Sequence, residues 1–307
     1  MASEPMDILS ILAMIVMIVA VVIGFMKRFS YTNILVVANL VVFMLTLLAP
    51  VTPFTGGLTA VQTDLGFKAI DFFNGRNLYT IFTNLFIHAS FFHVVGNMLF
   101  LFLIGNAYEE RVGKNKFVAT YFIAGVAGTL VESVLLSGSP DGLSSVLIGA
   151  SGAIAGVMGA MLLLYPHDKV PMFLIIIFLP AVSVWLAVGS WFAWQVFLVS
   201  QTGLIAGGIG FGAHFGGFLA GMMVAHLYPQ SLAKAPRAVD VTDLESLATT
   251  KELKDALDRI RGETNPDIRN AWLEYFAEHA VCPKCGNHPK WKGNSLKCSC
   301  GFEAQLK

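Results

Sequence analysis

A chain of 307 residues that is 55% hydrophobic and only 13% charged, with a mean hydropathy of +0.68, falls outside the ordinary soluble globular class. Its formal net charge of zero conceals two solvents: residues 1–229 carry 8 Lys+Arg and 9 Asp+Glu, and residues 230–307 carry 12 and 11. The pattern is a membrane-embedded body with a soluble tail, and the alternating signs of the tail give no basic patch and no expected nucleic-acid partner.

Residues 8–26 are apolar for long enough to cross the hydrocarbon core and end at Lys27-Arg28. The leader carries Glu4 and Asp7 but no Lys or Arg, so the segment reads as a retained helix rather than a signal peptide. Residues 1–31 are therefore taken as an extra N-terminal transmembrane unit. A second crossing, 32–50, closes at Pro50. The mixed stretch 51–90 is too polar to span, and Phe67, Ile70, Phe72 and Phe73 place part of it in the interface. Crossings at 91–108 and 117–137 flank the charged turn 109–116. A short apolar segment follows at 151–165. The run 170–199, interrupted by Pro171 and Pro180, is read as one tilted helix, and the last crossing is 204–228.

Lys and Arg set the orientation. One set of alternate loops holds Lys27-Arg28, then Arg111, Lys114 and Lys116, then Lys169, and finally Lys234 and Arg237. By the positive-inside rule these loops and the tail are cytoplasmic, and the N-terminus is outside a cell membrane. Ser151 and His214 then lie near the outer ends of their helices.

The tail opens with a linker, 230–241, and a helical part, 242–280. There Thr249 and Glu252 have capping-box spacing, Leu253, Leu257 and Ile260 share a face, and Asn265-Pro266 looks like the start of a second helix carrying Ile268, Trp272 and Phe276. Residues 281–307 hold all four cysteines, as Cys282-Pro283-Lys284-Cys285 and Cys298-Ser299-Cys300. Two tight thiol pairs on the reducing side suit a tetrahedral structural zinc, with iron as the other metal and His288 as an alternative ligand. The module would bind a cytoplasmic partner that the sequence does not identify.

Three clusters carry chemistry. Ser151 lies in Gly149-Ala150-Ser151-Gly152, and Gly152 with Gly156 has the spacing that lets membrane helices approach closely. His214 shares a helix face with Gly217 and Gly221, and an ionisable side chain inside a membrane marks function. Packed together, the imidazole can take the hydroxyl proton and make Ser151 a nucleophile. His93 and Asn97, four apart on one face, offer N–H donors to a developing oxyanion. A metal among the histidines is not expected, because His93 and Asn97 have no carboxylate partner on their own helix.

Phe86-x-His88-Ala89, His93-x-x-x-Asn97, Glu109-x-Arg111, Gly149-x-Ser151-Gly152 and Ala213-His214-x-x-Gly217-x-x-x-Gly221, in this order, resemble the rhomboid family of intramembrane serine proteases. The resemblance covers roughly 32–228. It implies an all-α polytopic membrane protein: a rhomboid-like core of six transmembrane helices (32–229, with the long outer loop 51–90), here with one extra N-terminal helix and a small cytoplasmic α plus zinc-ribbon tail.

The resemblance further implies a Ser–His dyad of nucleophile Ser151 and base His214, needing no cofactor. His93, Asn97 and the Ser151 N–H would bind the oxyanion. His88 would hold the neighbouring loop, Gly149, Gly152, Gly217 and Gly221 would shape the site, and Glu109 and Arg111 would form a structural pair. Two positions depart from the family pattern: Tyr79-Thr80 stands where Trp-Arg is common, and Ala155 stands where many relatives stack an aromatic on the base, which leaves His214 less firmly oriented. Glu132 is read as interfacial and solvated.

The expected activity is endopeptidase cleavage of other proteins' transmembrane segments near the outer face, with membrane lipid as surroundings. The alternatives are an inactive adaptor of the same fold, against which the complete dyad argues, and a multi-pass transporter, for which paired mid-membrane charges are absent.

Overall fold

The computed structural model describes the chain except residues 1–4, 27–28, 54, 139, 175–176, 203–209, 229–239, 264–265, 293–294 and 307. The basic residues Lys27, Arg28, Lys234 and Arg237, most of the 230–241 linker and the Asn265 cap lie outside the described residues. The chain divides into two compact units, Met1–Ala233 and Lys234–Lys307.

The first unit is built from the helices α1 (Ile8–Gly24), α2 (Tyr31–Leu48), α3 (Phe91–Val112), α4 (Lys114–Leu136), α5 (Ser151–Leu164), α6 (Val184–Thr202) and α7 (Phe211–His226). Among the described residues α2, α3, α4 and the stretch Val184–Gln201 of α6 are long and apolar enough to cross a membrane, while α1 and α5 are shorter apolar helices. Large apolar side chains such as Ile18, Met44, Val134 and Phe197 stand exposed on this unit, which suits lipid contact rather than water. The whole is a polytopic all-α membrane fold with a six-helix core, α2 to α7, and α1 in addition.

α5 organises that core. Residues 152–161 are buried on every side of this helix, the pattern of a helix surrounded by protein. Its approach to α7 depends on glycine: a Cβ at Gly217 would overlap the carbonyl of Gly152, and one at Gly221 would overlap that of Gly156. At 14 residues α5 is roughly 21 Å long, short of the hydrocarbon thickness of about 30 Å.

α1 is fixed at both ends. Asp64 Oδ2 accepts from the Asp7 N–H at 3.1 Å and the Ser10 hydroxyl at 2.7 Å, while Lys114 Nζ donates to the carbonyls of Met26 and Phe29 at 2.6 and 2.8 Å. Glu109 and Arg111 are not paired with each other. Glu109 accepts the N–H groups of Tyr31 and Thr32, both at 2.8 Å, which caps the N-terminus of α2. Arg111 Nε instead meets Asp168 at 2.7 Å, tying α3 to the turn after α5. α3 also contains a π-turn at Leu101–Gly105.

The interface placement of Phe67 and the single helix at 170–199 are also corrected. The stretch 51–90 is folded, with short helices at Ala60–Leu65, Ala69–Phe73 and Thr80–Thr83. Phe67 is fully buried and bridges to Leu147, while Ile70 and Phe73 are exposed. The run 170–199 is not one helix. It forms an antiparallel hairpin of β1 (Lys169–Leu174) and β2 (Ile177–Ser183), and only then α6. Pro171 and Pro180 lack an N–H and push Val170 and Leu179 to extended backbone; the register slips between Val170 and Met172, where Pro171 stands.

The second unit packs helices Lys251–Gly262 (α8) and Pro266–His279 (α9) with strands Lys290–Lys292 (β3), Ser295–Lys297 (β4) and Glu303–Gln305 (β5) around Leu253, Leu257, Ile260, Phe276 and Leu296. Thr250, not Thr249, caps α8, accepting from the Leu253 N–H at 3.3 Å. Arg259 lies over the Trp272 ring at 4.7 Å, joining the two helices by a cation–π contact.

Candidate active site and cysteine cluster

The N-terminus of α5 delivers Ser151 as its first residue, straight after a turn that only glycine permits. Gly149 has φ of 133°, and a Cβ there would sit 2.9 Å from His93 Nε2. Its N–H donates to the Asn84 carbonyl at 3.0 Å, which locks the turn to the folded 80–86 segment. From α7, His214 turns toward the same point. Its Nε2 is 2.8 Å from Ser151 Oγ. The glycine faces predicted to permit this approach are therefore the contact surface of α5 and α7.

His93 and Asn97 project from the first turns of α3 into the same cavity of about 650 Å³, which Ser151 and His214 also line. The backbone N–H of Ala89 donates to His93 Nδ1 at 3.3 Å, so the ring proton resides on Nε2, the atom facing Gly149. Asn97 is buried, and its Nδ2 has no partner among the described residues. Two N–H donors thus await an acceptor beside the serine. His88 is fully buried, with its ring edge-on to that of His93 at 5.0 Å between centroids. Its loop is tied by its backbone carbonyl, which accepts from Gln62 Nε2 at 3.1 Å.

Sequence reasoning missed two side chains. Glu132 is not solvated: it is buried, and its Oε2 accepts the Ala213 N–H at 2.9 Å, holding the first turn of the helix that carries His214. A lone carboxylate inside the apolar run 117–137 was a signal that deserved a functional reading. Gln195 of α6 faces His214 Nδ1 at 3.0 Å; an amide inside the apolar run 184–199 was the available sign.

In the second unit the four sulfurs of Cys282, Cys285, Cys298 and Cys300 lie within 4.8 Å of one another. Cys282 and Cys300 are 3.6 Å apart and Cys285 and Cys298 3.4 Å, near the spacing of about 3.8 Å that four bonds of about 2.3 Å to one tetrahedral ion produce. The Cys300 backbone N–H pulls the Cys298 thiol down to about 6. Cys285 receives the Asn287 N–H, which lowers its thiol, yet the three neighbouring thiols push it up to about 12. Four thiolates this close need a cation, so the donor set fits a metal. His288 donates to the Ala280 carbonyl at 2.9 Å and is not part of the cluster.

A serine and a histidine thus meet at one end of the central helices of a helical membrane unit. The family model for the rhomboid domain matches residues 75–231, just over half of the chain, and the chain belongs to the rhomboid family. It is 37% identical over 89 residues to Rhomboid-like protease 3 of Toxoplasma gondii, covering 29% of this chain and 32% of that protein. It is 27% identical over 155 residues to the mitochondrial Rhomboid protein 1 of Saccharomyces cerevisiae, covering 50% and 43%. Against the putative rhomboid protease YdcA of Bacillus subtilis the identity is 33% over 84 residues, covering 27% and 40%. In each case the chain spans less than half of the relative's length.

Proposed function

We propose that the protein is an intramembrane serine endopeptidase in which Ser151 and His214 form the catalytic dyad and His93, Asn97 and the Ser151 N–H form the oxyanion hole. The observation that carries the reading is the 2.8 Å contact between His214 Nε2 and Ser151 Oγ, in a cavity that also presents the unpaired Asn97 donor.

The chemistry runs as acyl transfer. Ser151 Oγ bonds to the scissile carbonyl carbon while its proton passes to His214 Nε2. The carbonyl oxygen, now anionic, takes hydrogen bonds from His93 Nε2, Asn97 Nδ2 and the Ser151 N–H, which has no partner within its own helix because Ser151 is the first residue of α5. As the tetrahedral species collapses, the C–N bond breaks and His214 returns the proton to the departing amine. Water repeats the sequence on the acyl-enzyme, releasing the acid and restoring Ser151.

Substrates are transmembrane segments of other proteins. An intact helix hides its carbonyls in its own hydrogen bonds, so the cleaved residues must leave helical form to reach Ser151. The shortness of α5 supports a site recessed below the membrane surface, near enough for water to enter. Loop charges support the outer face for the site and the cytoplasm for the tail. The chain is read as an extra helix (1–31), the protease core (32–229), a linker (230–241), a helical tail (242–280) and a metal-binding ribbon (281–307).

The test uses the purified protein in lipid vesicles with a transmembrane reporter. The reporter is cut within its membrane segment, and a fluorophosphonate that bonds to Ser151 Oγ with loss of fluoride stops the cutting. Absence of cleavage in lipid, or cleavage that survives while Ser151 carries no adduct, would overturn the proposal.

The ribbon is proposed to hold zinc. One equivalent of zinc per chain is expected by elemental analysis of the full-length protein purified without chelator. Cys298→Ser is expected to lose it and to render residues beyond 233 sensitive to protease, since a structural metal contributes folding free energy directly. Iron in its place would change the metal but keep the site; no metal at all would remove it.

A further inference from the structure

A two-residue dyad gives no task to the second nitrogen of its histidine. Here that nitrogen has a partner. Gln195 Oε1 lies 3.0 Å from His214 Nδ1, while the other side of the ring meets Ser151. Trp191, one turn earlier on α6, flanks the imidazole with ring centroids 5.6 Å apart and planes at 50°. The two side chains are four apart and so share the helix face turned to the base.

We infer that Gln195 is the positioning residue of His214, a neutral amide standing where a triad holds a carboxylate, with Trp191 supplying the wall that Ala155 does not. The inference rests on the proposed dyad. A neutral imidazole carries one ring proton, and an acceptor at Nδ1 fixes that proton there, leaving the Nε2 lone pair aimed at the serine hydroxyl. The amide has two ends of opposite character. Presented the other way, its NH₂ would require Nδ1 to accept, move the ring proton to Nε2 and leave Ser151 without a base. Only the carbonyl-first orientation is compatible with catalysis.

No carboxylate competes for this place among the described residues. The other titratable side chains lining the cavity are His93 of α3 and Glu132 of α4. Glu132 is engaged with the backbone of α7, and His93 faces Gly149. Because α6 supplies both Gln195 and Trp191, the base is complete only while α6 is packed against α7.

Three variants test this in the reporter assay, with thermal unfolding as a check on folding. Gln195→Met keeps the length and removes the acceptor; kcat should fall about tenfold, the worth of one neutral hydrogen bond, with KM unchanged. The rate of fluorophosphonate bonding to Ser151 should fall by the same factor. Gln195→Glu should restore the rate above that of Gln195→Met and move the acid limb of the kcat/KM profile to higher pH by about one unit or more, because an anion at Nδ1 favours the protonated imidazole. Trp191→Leu should loosen the base without moving the acid limb. A glutamine that merely packs would leave Gln195→Met with wild-type kcat, or Gln195→Glu with an unshifted acid limb, and either result overturns the inference. Loss of the dyad itself reads differently: the wild-type protein would then neither cleave nor take up the probe at Ser151.

Discussion

Alanine at Ser151 or at His214 is expected to lower kcat for a transmembrane reporter by at least about 10⁴-fold, with the double replacement no slower than either alone. The reason is the shared proton. With Nε2 and Oγ 2.8 Å apart, removing the hydroxyl removes the nucleophile, and removing the imidazole leaves a hydroxyl that is not ionised at neutral pH. Each loss makes the other group useless, so the effects do not add. A residual rate above that of the reporter alone is expected from the donors of His93 and Asn97, which do not depend on the dyad. Initial rates in lipid vesicles, compared with unfolding temperatures, separate this from a folding defect. Losses that multiply in the double variant would mean that Ser151 and His214 act independently, and the mechanism would fail.

The second large effect falls on packing. Gly221→Leu and Gly217→Val should each destabilise the first unit by about 3 kcal/mol or more and abolish cleavage, although neither residue lines the cavity that holds Ser151. In both cases the obstruction is backbone, the carbonyls of Gly156 and Gly152, and a carbonyl belonging to a helix cannot step aside as a side chain can. α5 must move as a rod, which carries Ser151 away from His214. Such a cost is a large share of a typical total stability of 5–15 kcal/mol. Gly189→Ala on α6 is the control, since beyond its own stretch of helix nothing among the described residues lies within 4 Å of the added Cβ; it should be neutral or slightly stabilising. Unfolding temperature and folded yield in detergent measure both. Wild-type stability in Gly221→Leu would show that α5 and α7 do not approach as closely as described.

These cases also mark what was legible beforehand. The helix faces of Ser151, His214, His93 and Asn97 were readable because glycine spacing and intramembrane polar residues each have few causes. The cysteine cluster was readable for the same reason, four thiols in two pairs. The hairpin at 169–183 was not: a continuous apolar run has no period to separate strand from buried helix, and the interruptions at Pro171 and Pro180 do not by themselves divide one tilted helix from a hairpin. Glu109 and Arg111 are adjacent in sequence logic, yet each found a stronger partner in a distant segment, the free N–H groups of α2 for one and Asp168 for the other. Gln195 is not legible in the sequence, because a single amide in an apolar run carries no spacing that ties it to His214. Glu132 was given to solvent because helix ends are usually wet, while its actual partner is another helix's first turn.

The π-turn in α3 has a consequence for phase. Asn97 and Glu109 are both buried, one at the candidate oxyanion hole and the other capping α2. In a regular α-helix residues twelve apart point about 120° away from each other around the axis. One residue absorbed in the wide turn at Leu101–Gly105 brings that difference to about 20°. The wide turn thus keeps both ends of the helix facing inward; regularising it with every residue kept would swing the Glu109 carboxylate by about 100° around the axis, whereas deleting the one surplus residue would preserve the phase.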